Sequence, residues 1–188
     1  MKKQSAISAL SRTLVCAALA MSSSLAFAQS TLGTPTEAQR MEQRMARIDI
    51  DALNMEFMYQ LDGGNHQVLA DFFTEDGSLG IAGGERAVGR AAIAKRYAAR
   101  PAGRTTHHVS SNLRLAFDSP TRVRGVRTLT YYATDGMASK AAAPLGVADY
   151  SETYERGSDG AWRYAARTVT PVFGLNAVDK QPAPAIAK

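Results

Sequence analysis

Cysteine is nearly absent from this chain, since Cys16 is the only one among 188 residues. One cysteine cannot close an intramolecular disulfide, and it cannot supply the thiolates of a structural zinc site. Cys16 also falls in an N-terminal segment that we expect to be cleaved, which would leave the mature protein without a thiol. Thiol chemistry is therefore excluded from the predicted function, and the hydrophobic core must stabilise the fold.

Long hydrophobic runs are also missing. The apolar stretch Leu14–Met21 is much shorter than the ~20 residues that a membrane-spanning helix needs. It follows Lys2, Lys3 and Arg12 and precedes the small residues of Ala26-Phe-Ala28, which is the pattern of a secretory signal peptide. We therefore predict cleavage after Ala28, export to the periplasm or the medium, and no membrane association once residues 1–28 are removed.

A large excess of one charge is missing as well. The chain has 22 Lys and Arg against 17 Asp and Glu, and removal of the signal peptide takes three basic residues, so the formal charge falls from +5 to +2. A nucleic-acid partner is therefore not expected. The arginines of Arg122–Arg127 alternate as in a strand and are expected on a solvated or intersubunit face. His66, His107 and His108 lack the spacing of a zinc site, so no metal site is expected.

Helical spacing is the main pattern after the signal peptide. Glu37–Leu61 contains neither proline nor glycine, and it carries an apolar stripe that we expect to face the core. The stripe consists of Met41, Met45, Ile48, Ala52, Met55 and Tyr59, and it is widened at the C-terminal end by Leu53, Phe57 and Leu61. Gly63-Gly64 ends this helix, and Asn65 is suited to cap a second, short helix that runs to Phe73.

Three shorter elements are predicted before the sheet. Thr74–Gly77 indicates a turn and Ser78–Ala82 a short strand. Ala87–Arg100 indicates a third helix. Its predicted buried residues are Val88, Ile93 and Tyr97.

Alternating β-branched and aromatic residues predict four strands in the second half of the chain. They are Thr105–Phe117, Arg122–Thr134, Gly146–Arg156 and Trp162–Phe173, with Ala141–Pro144 as a loop. Helices followed by such a run indicate an α+β domain at residues 37–174, with N-terminal helices packed on a curved antiparallel sheet. Residues 29–36 are predicted to form a flexible lead, and residues 175–188 a disordered tail.

Asp62 is the candidate catalytic residue at the corner between the first two helices. A carboxylate enclosed between helix and sheet loses solvation, which raises its pKa toward the range of a general base. Tyr59 lies three residues earlier, so its hydroxyl could donate to a developing oxyanion on the same side. The alternative is that Asp62 only binds backbone amides at the helix junction.

Three stretches resemble the SnoaL-like branch of the nuclear transport factor 2-like superfamily. They are Tyr59–Phe73, Thr105–Asn112 with its two histidines, and the pair Asp149–Tyr154 and Asp159–Arg163. The resemblance covers about Ile48 to Phe173 and implies a cone-shaped α+β domain with an apolar pocket. It also implies a homodimer.

Within the superfamily, the motifs are nearest to scytalone dehydratase, with ketosteroid isomerase further away. The resemblance places Asp62 and His108 where the dehydratase keeps its acid/base pair. His108 is preferred over His107 because of its spacing to the following Val-Ser-Ser-Asn segment. Leu61 replaces the dehydratase tyrosine before the aspartate, Leu129 falls near its expected amide, and its second histidine has no counterpart. The resemblance also places four residues at the pocket. They are Leu61, Phe73, Asn112 and Tyr131.

Strand alternation sets a condition on this pair. In a regular strand His108 shares a face with Asn112, whereas Leu113 and Leu115 occupy the other face. His108 then points away from an apolar pocket unless a β-bulge at Ser110–Ser111 shifts the alternation, or unless the pocket lining is polar. The alternative is that His108 is a hydrogen-bonded sheet residue.

These observations favour a cofactor-free lyase, such as a dehydratase, or an isomerase that moves a proton on a small carbonyl-bearing or cyclic organic molecule. In this prediction Asp62 is the general base, His108 the proton partner and Tyr59 the oxyanion donor. The alternative is a non-catalytic periplasmic domain that binds a small molecule or serves as an accessory protein. Both kinds of protein occur on this fold, so the fold alone does not decide between them.

Overall fold

The computed structural model describes residues 34–136 and 143–174. The predicted signal peptide, residues 29–33 of the predicted lead, the predicted tail and half of the loop Ala141–Pro144 lie outside these residues. The elements are α1 (Glu37–Asp62), a 3-10 helix (His66–Phe72), β1 (Phe73–Ile81), β2 (Arg86–Val88), α2 (Arg90–Ala98), β3 (Arg104–Ser119), β4 (Arg122–Asp135), β5 (Gly146–Arg156) and β6 (Trp162–Gly174). Within the described part of the chain, none of the helices has the length and apolar character to cross a membrane.

The predicted first helix is confirmed to within one residue. Thr36 begins α1 as its N-cap, because its hydroxyl accepts the Gln39 backbone N–H at 3.2 Å while the Gln39 side chain accepts the Thr36 N–H at 2.8 Å. This reciprocal pair satisfies two of the amides that a helix start leaves without partners. Gly63 and Gly64 end the helix, and Gly64 has a positive φ of 80°.

The buried face of α1 agrees with the prediction only at its C-terminal end, where Phe57 and Leu61 are buried. Members of the predicted stripe are exposed, with Met45 at 51%, Ile48 at 60% and Tyr59 at 73% of their maximal surface. A neighbouring stripe packs on the sheet instead: Ala46, Ile50, Asn54, Phe57, Met58 and Leu61. Both stripes have helical spacing, and the second contains Asn54, which a search for apolar residues passes over.

The region between α1 and β3 differs from the prediction in two places. The predicted turn Thr74–Gly77 lies inside β1, where the pairing with β6 shifts between Phe73 and Ser78. The predicted third helix is divided at Gly89, whose φ of 81° excludes helical backbone there. Val88 therefore lies in β2 and is exposed, so its predicted burial is wrong, whereas the predicted burial of two α2 residues is confirmed. These are Ile93 and Tyr97.

The sheet confirms the predicted α+β cone fold. Its six strands run in the order β2-β1-β6-β5-β4-β3 and form a curved, unclosed sheet. The four long predicted strands are present with bounds shifted by at most two residues. All neighbours are antiparallel except β1 and β6, so the sheet is mixed rather than wholly antiparallel.

The core combines aromatic rings with buried charge. Phe57 of α1 meets Phe73 and Tyr164 with ring centroids 6.1 and 5.5 Å apart, in edge-to-face arrangements that suit aromatic quadrupoles. The guanidinium of Arg167 lies 4.2 Å from the Phe57 ring centroid and 3.9 Å from that of Tyr164. Phe73 is fully buried among these rings.

Candidate active site

Asp62 is the last residue of α1 and is bound to strand β3. Its Oδ1 accepts the Thr106 hydroxyl at 2.9 Å and lies 2.5 Å from His108 Nδ1, and its Oδ2 accepts the His108 backbone N–H at 2.8 Å. Its side chain is 15% exposed. The amide that Asp62 binds is therefore on the facing strand, and not at the Gly63-Gly64 junction.

His108 lies in close contact with Asp62, whereas His107 does not. The His108 side chain is 6% exposed and its ring packs on Tyr131 with centroids 4.8 Å apart. His107 is 73% exposed, and its Nδ1 is 3.8 Å from Asp62 Oδ2. Because a carboxylate can only accept, Nδ1 of His108 carries the proton of this bond. Nε2 is then the ring nitrogen that retains a free lone pair in the neutral imidazole.

A β-bulge turns His108 toward the helix. The pairing of β3 with β4 shifts by one residue between Ser111 and Arg114, just after the predicted Ser110–Ser111. Asn112 lies in this bulge with a φ of 58°, and among the described residues it is the one non-glycine with a positive φ. Asparagine tolerates this left-handed conformation better than most residues. The extra residue puts His108 on the same face as Leu115, as a bulge requires.

The predicted rise in the pKa of Asp62 is wrong. Burial by itself raises the pKa of this carboxyl, and it is the largest single influence. The hydrogen bond and charge interaction with His108, its backbone N–H and the Thr106 hydroxyl together outweigh burial, so the pKa lies below its ordinary value of 3.8. An ionised carboxylate with three donors is suited to orient His108, and it is a poor general base at neutral pH.

Two cavities meet at this pair. The first, of about 500 Å³, lies along α1, β3 and β4, and its wall includes Asp51, Asn54, Met58, His108, Ser110 and Arg127. The second, of about 380 Å³, is lined by residues that include Leu61, Asp62, His66, Arg100, Thr106 and Tyr131. His108 therefore faces the first cavity while its partner Asp62 faces the second.

The other predicted site residues are divided by the structure. Asn112 lines the first cavity, and Leu61 and Tyr131 line the second. Phe73 has no exposed surface and lines neither cavity, because it is part of the aromatic core. Tyr59 also lines neither. Tyr59 and Asp62 are three residues apart, which is a rotation of about 300° around the helix axis. Their side chains therefore differ in direction by about 60°, and Tyr59 lies on the outer face.

A buried ion cluster at the base of the first cavity was missed by the sequence reading. Arg127 Nε and Nη2 each bind Glu152 at 3.0 Å, and Arg167 Nε binds the same carboxylate at 2.7 Å. The Tyr154 hydroxyl donates to Glu152 as well. The charges of Arg167 and Arg127 outweigh the effect of burial and lower the pKa of Glu152 to about 2.

The prediction that Arg127 lies on a solvated or intersubunit face is therefore wrong. Arg122 and Arg124 are on the outer face, where they bind Glu155 and Asp118. Arg127 is an odd number of residues from Arg122, and so it shares the inner face with the fully buried Val123. The odd spacing between Arg122 and Arg127 would have predicted this placement from the sequence.

No group of three His, Cys, Asp or Glu side chains with the geometry of a metal site occurs among residues 34–136 and 143–174. The candidate site therefore consists of a histidine–aspartate pair at the junction of two cavities, with a buried arginine in the wall of the first.

Comparison with solved structures gives proteins of the same fold. A candidate scytalone dehydratase from Novosphingobium aromaticivorans has a TM-score of 0.61 at 21% identity, over 77% of this chain and 96% of its own. A type 2 LinA, a hexachlorocyclohexane dehydrochlorinase, has a TM-score of 0.57 at 20% identity, over 74% of this chain and 97% of its own. A protein from Catenulispora acidiphila in complex with S-DNPA has a TM-score of 0.58 at 22% identity, over 69% of this chain and 95% of its own.

At these identities the likeness concerns the fold. No curated protein matches the chain. The family model of the SnoaL-like domain matches residues 42–168, which include most of α1, the ion cluster and both members of the histidine–aspartate pair. The chain therefore belongs to the SnoaL-like domain family.

Proposed function

We propose that this protein removes a proton from carbon in a small carbonyl-bearing or cyclic organic molecule, as a cofactor-free lyase or isomerase. His108 is the general base and Asp62 is its orienting partner. The observation that carries the proposal is the contact of 2.5 Å between His108 Nδ1 and Asp62 Oδ1, since it leaves Nε2 as the basic nitrogen of a side chain that lines the first cavity.

The roles of the two residues are the reverse of those that the sequence suggested. Asp62 has a lowered pKa and already accepts three hydrogen bonds, so it stays ionised at neutral pH. As Nε2 takes the proton, the imidazole becomes cationic, and the carboxylate stabilises that cation. Imidazole is the side chain that exchanges protons most readily near neutral pH.

Two outcomes are open after the C–H bond breaks. In an elimination, the bonding electrons form a new C=C bond and a leaving group departs, taking the proton from His108 if it is a hydroxide. In an isomerisation, the proton returns to another carbon of the delocalised anion. The names of two proteins of this fold, a candidate scytalone dehydratase and a dehydrochlorinase, support elimination. The complex with S-DNPA supports a small-molecule ligand.

Hydrogen exchange tests the proposal without knowledge of the product. Cyclic ketones and β-hydroxy ketones are incubated with the protein in D2O, and loss of the α-proton signal is followed by NMR. We expect exchange or turnover with the wild-type protein, and none above background with His108→Asn. His107→Asn is the matched control, because this neighbour is exposed. Equal exchange by the wild type and His108→Asn would rule out His108 as the base.

A second candidate function is ligand binding without catalysis. It is favoured by the buried Leu61, which stands where the related dehydratase has a tyrosine, and by the exposure of Tyr59 on the outer face. In that case ligands bind the first cavity with measurable affinity, while the wild-type protein and His108→Asn give the same background exchange.

Export and dimerisation belong to this proposal as well. Export rests on the sequence of residues 1–28, and we expect the protein from a periplasmic or culture-medium fraction to begin at Gln29. The homodimer rests on resemblance to the family, and light scattering should give twice the mass of the mature chain. An unprocessed cytoplasmic chain, or a monomer at micromolar concentration, would contradict the respective expectation.

A further inference from the structure

The first cavity has a buried cation in its wall. Arg127 contributes to the lining although only 1% of its side-chain surface is exposed. Its Nε and Nη2 bind Glu152, and its Nη1 donates to the Ser110 hydroxyl at 2.6 Å. A guanidinium has five N–H donors, so these three bonds leave two N–H groups for another acceptor.

The cluster behind the cavity wall carries more positive than negative charge. One carboxylate, Glu152, is shared by Arg127 and Arg167, which leaves the three residues with a net charge of +1. Arg167 Nη2 is buried and has no hydrogen-bond partner among the described residues. Arg47 and Asp51, which also line the cavity, have opposite charges. One positive charge of the cluster therefore has no carboxylate to neutralise it, and a buried charge without a counter-ion is costly. An anion bound in the cavity would supply that counter-ion.

Arg127 and its partner Ser110 are close enough to His108 for one small ligand to contact all three. Ser110, which binds Arg127, follows His108 by two residues on β3, so both side chains share a face. Two residues of a strand span roughly 6.5 Å. A ligand of five to ten heavy atoms can contact both positions.

We infer that Arg127 and Ser110 form an anion-binding subsite that takes a carboxylate oxygen of the ligand, or the enolate oxygen that forms when His108 removes a proton. The preferred ligands are then small organic acids whose reactive carbon lies near His108. Binding of a carboxylate depends only on the subsite, whereas the assignment of such acids as substrates rests on the proposed function. Arginine suits this role because its planar fork matches a carboxylate.

Matched carboxylates and carboxamides test the subsite by titration calorimetry. The pairs are 4-oxocyclohexanecarboxylate with its amide, and 4-oxopentanoate with its amide. For the wild-type protein we expect at least about tenfold tighter binding of the carboxylate in one or both pairs, as a charge-assisted hydrogen bond provides. Arg127→Met should abolish that preference. The variant keeps Glu152 and Arg167 as a one-to-one ion pair, so its cluster is electrically balanced.

Ser110→Ala is a second variant that leaves the Arg127–Glu152 pair in place. It removes a hydroxyl that binds Arg127, and we expect a partial loss of the carboxylate preference. Circular dichroism and thermal melting verify the fold of both variants. The inference is overturned if the wild-type protein binds no carboxylate more tightly than its amide and if Arg127→Met does not slow the exchange of neutral ketones.

His108→Asn distinguishes failure of the subsite from failure of the proposed function. We expect this variant to keep the carboxylate preference and to lose α-proton exchange. A carboxylate preference without exchange in the wild type rejects the proposed function and supports the subsite. A third outcome is that the wild type binds carboxylates and amides equally, while Arg127→Met exchanges neutral ketones at least tenfold more slowly. In that case the subsite binds the enolate oxygen and not a carboxylate. Exchange that is unchanged in Arg127→Met, with no carboxylate preference, rejects the subsite alone.

Discussion

Replacing Asp62 by asparagine is the most direct test of the histidine–aspartate pair, because the two side chains have the same shape. The carboxylate accepts three hydrogen bonds, from the Thr106 hydroxyl and from both the ring and the backbone of His108. An amide has a single oxygen and an NH2 group that only donates. The variant therefore cannot keep all three bonds in their native form.

The two orientations of the new amide have different consequences. With its NH2 at the position of Oδ2, it faces the His108 backbone N–H, donor against donor. With its NH2 at the position of Oδ1, it faces His108 Nδ1, which can accept if its proton moves to Nε2. In the second orientation the Thr106 hydroxyl loses its acceptor, but it can rotate and accept from the NH2 group, whereas the backbone N–H of His108 keeps the amide oxygen. We therefore expect the Nε2–H tautomer, in which Nε2 can no longer take a proton from a ligand.

The structure sets the size of the expected effects. Loss of a partly buried carboxylate with charge-assisted bonds should lower the free energy of unfolding by about 2 kcal/mol. The wrong tautomer should lower the exchange rate on the order of 10²- to 10⁴-fold, the usual contribution of a general base. A contribution that was only structural would change the first quantity and leave the second near the wild-type value.

Three measurements check this prediction. Nitrogen-15 NMR of the imidazole reports which ring nitrogen of His108 carries the proton, urea unfolding reports stability, and α-proton exchange in D2O reports activity. His107→Asn is the control, since its side chain is 73% exposed. If Asp62→Asn leaves the proton on Nδ1 and keeps exchange within twofold of the wild type, the orienting role of Asp62 is refuted.

The ion cluster, the bulge and the exposed helix face each lead to a further prediction. Because the pKa of Glu152 is lowered from 4.5 to about 2, its contribution of about 3 kcal/mol to the free energy of unfolding is complete above about pH 5 and is lost as the pH falls toward 2. Urea unfolding between pH 7 and 2.5 should show this loss, and a smaller one in Arg127→Met. Asn112→Ala should lower the free energy of unfolding by about 1 kcal/mol because of its left-handed backbone, and Asn112→Gly by less. Tyr59→Phe should leave exchange unchanged, and any large decrease would contradict its placement outside the cavities.

Most of the architecture was predictable because single residues and short spacings decide it. Thr36 at the start and Gly63-Gly64 at the end delimit α1, and alternation delimits β5 at the same residues in prediction and structure. Such signals are local, since a cap or a strand period acts within a few residues. The division of the third predicted helix at Gly89 follows from a local feature as well, because glycine readily adopts its positive φ.

The choice of the buried face of α1 was not local. Ile48 and Ile50 are two residues apart and equally apolar, yet the first is 60% exposed and the second is fully buried. Asn54, on the buried stripe with Ile50, binds the hydroxyls of Tyr154 and Tyr164 across the core. Those partners lie 100 and 110 residues away in the chain. No spacing within the helix contains that information.

The candidate site was predictable in composition and not in roles. Asp62 was selected from its place at the helix corner and His108 from the resemblance, and the condition for their meeting, a bulge after His108, followed from strand parity. The direction of the Asp62 pKa was wrong, because it depends on three donors that only the folded chain assembles. The same holds for Glu152, whose low pKa requires arginines on two different strands.

The arrangement of charge along the first cavity connects the two proposals. Proton transfer from carbon to His108 creates a cation at the imidazole and an anion on the ligand. Asp62 already stands beside the first of these, and Arg127 already lies in the wall that would face the second. Fixed charges that oppose developing charges stabilise them without reorganisation, and they are more effective where water is excluded. A cavity that only bound a neutral ligand would gain nothing from this separation of a carboxylate and a guanidinium, which is why the Asp62 and Arg127 variants together test the chemistry more severely than either does alone.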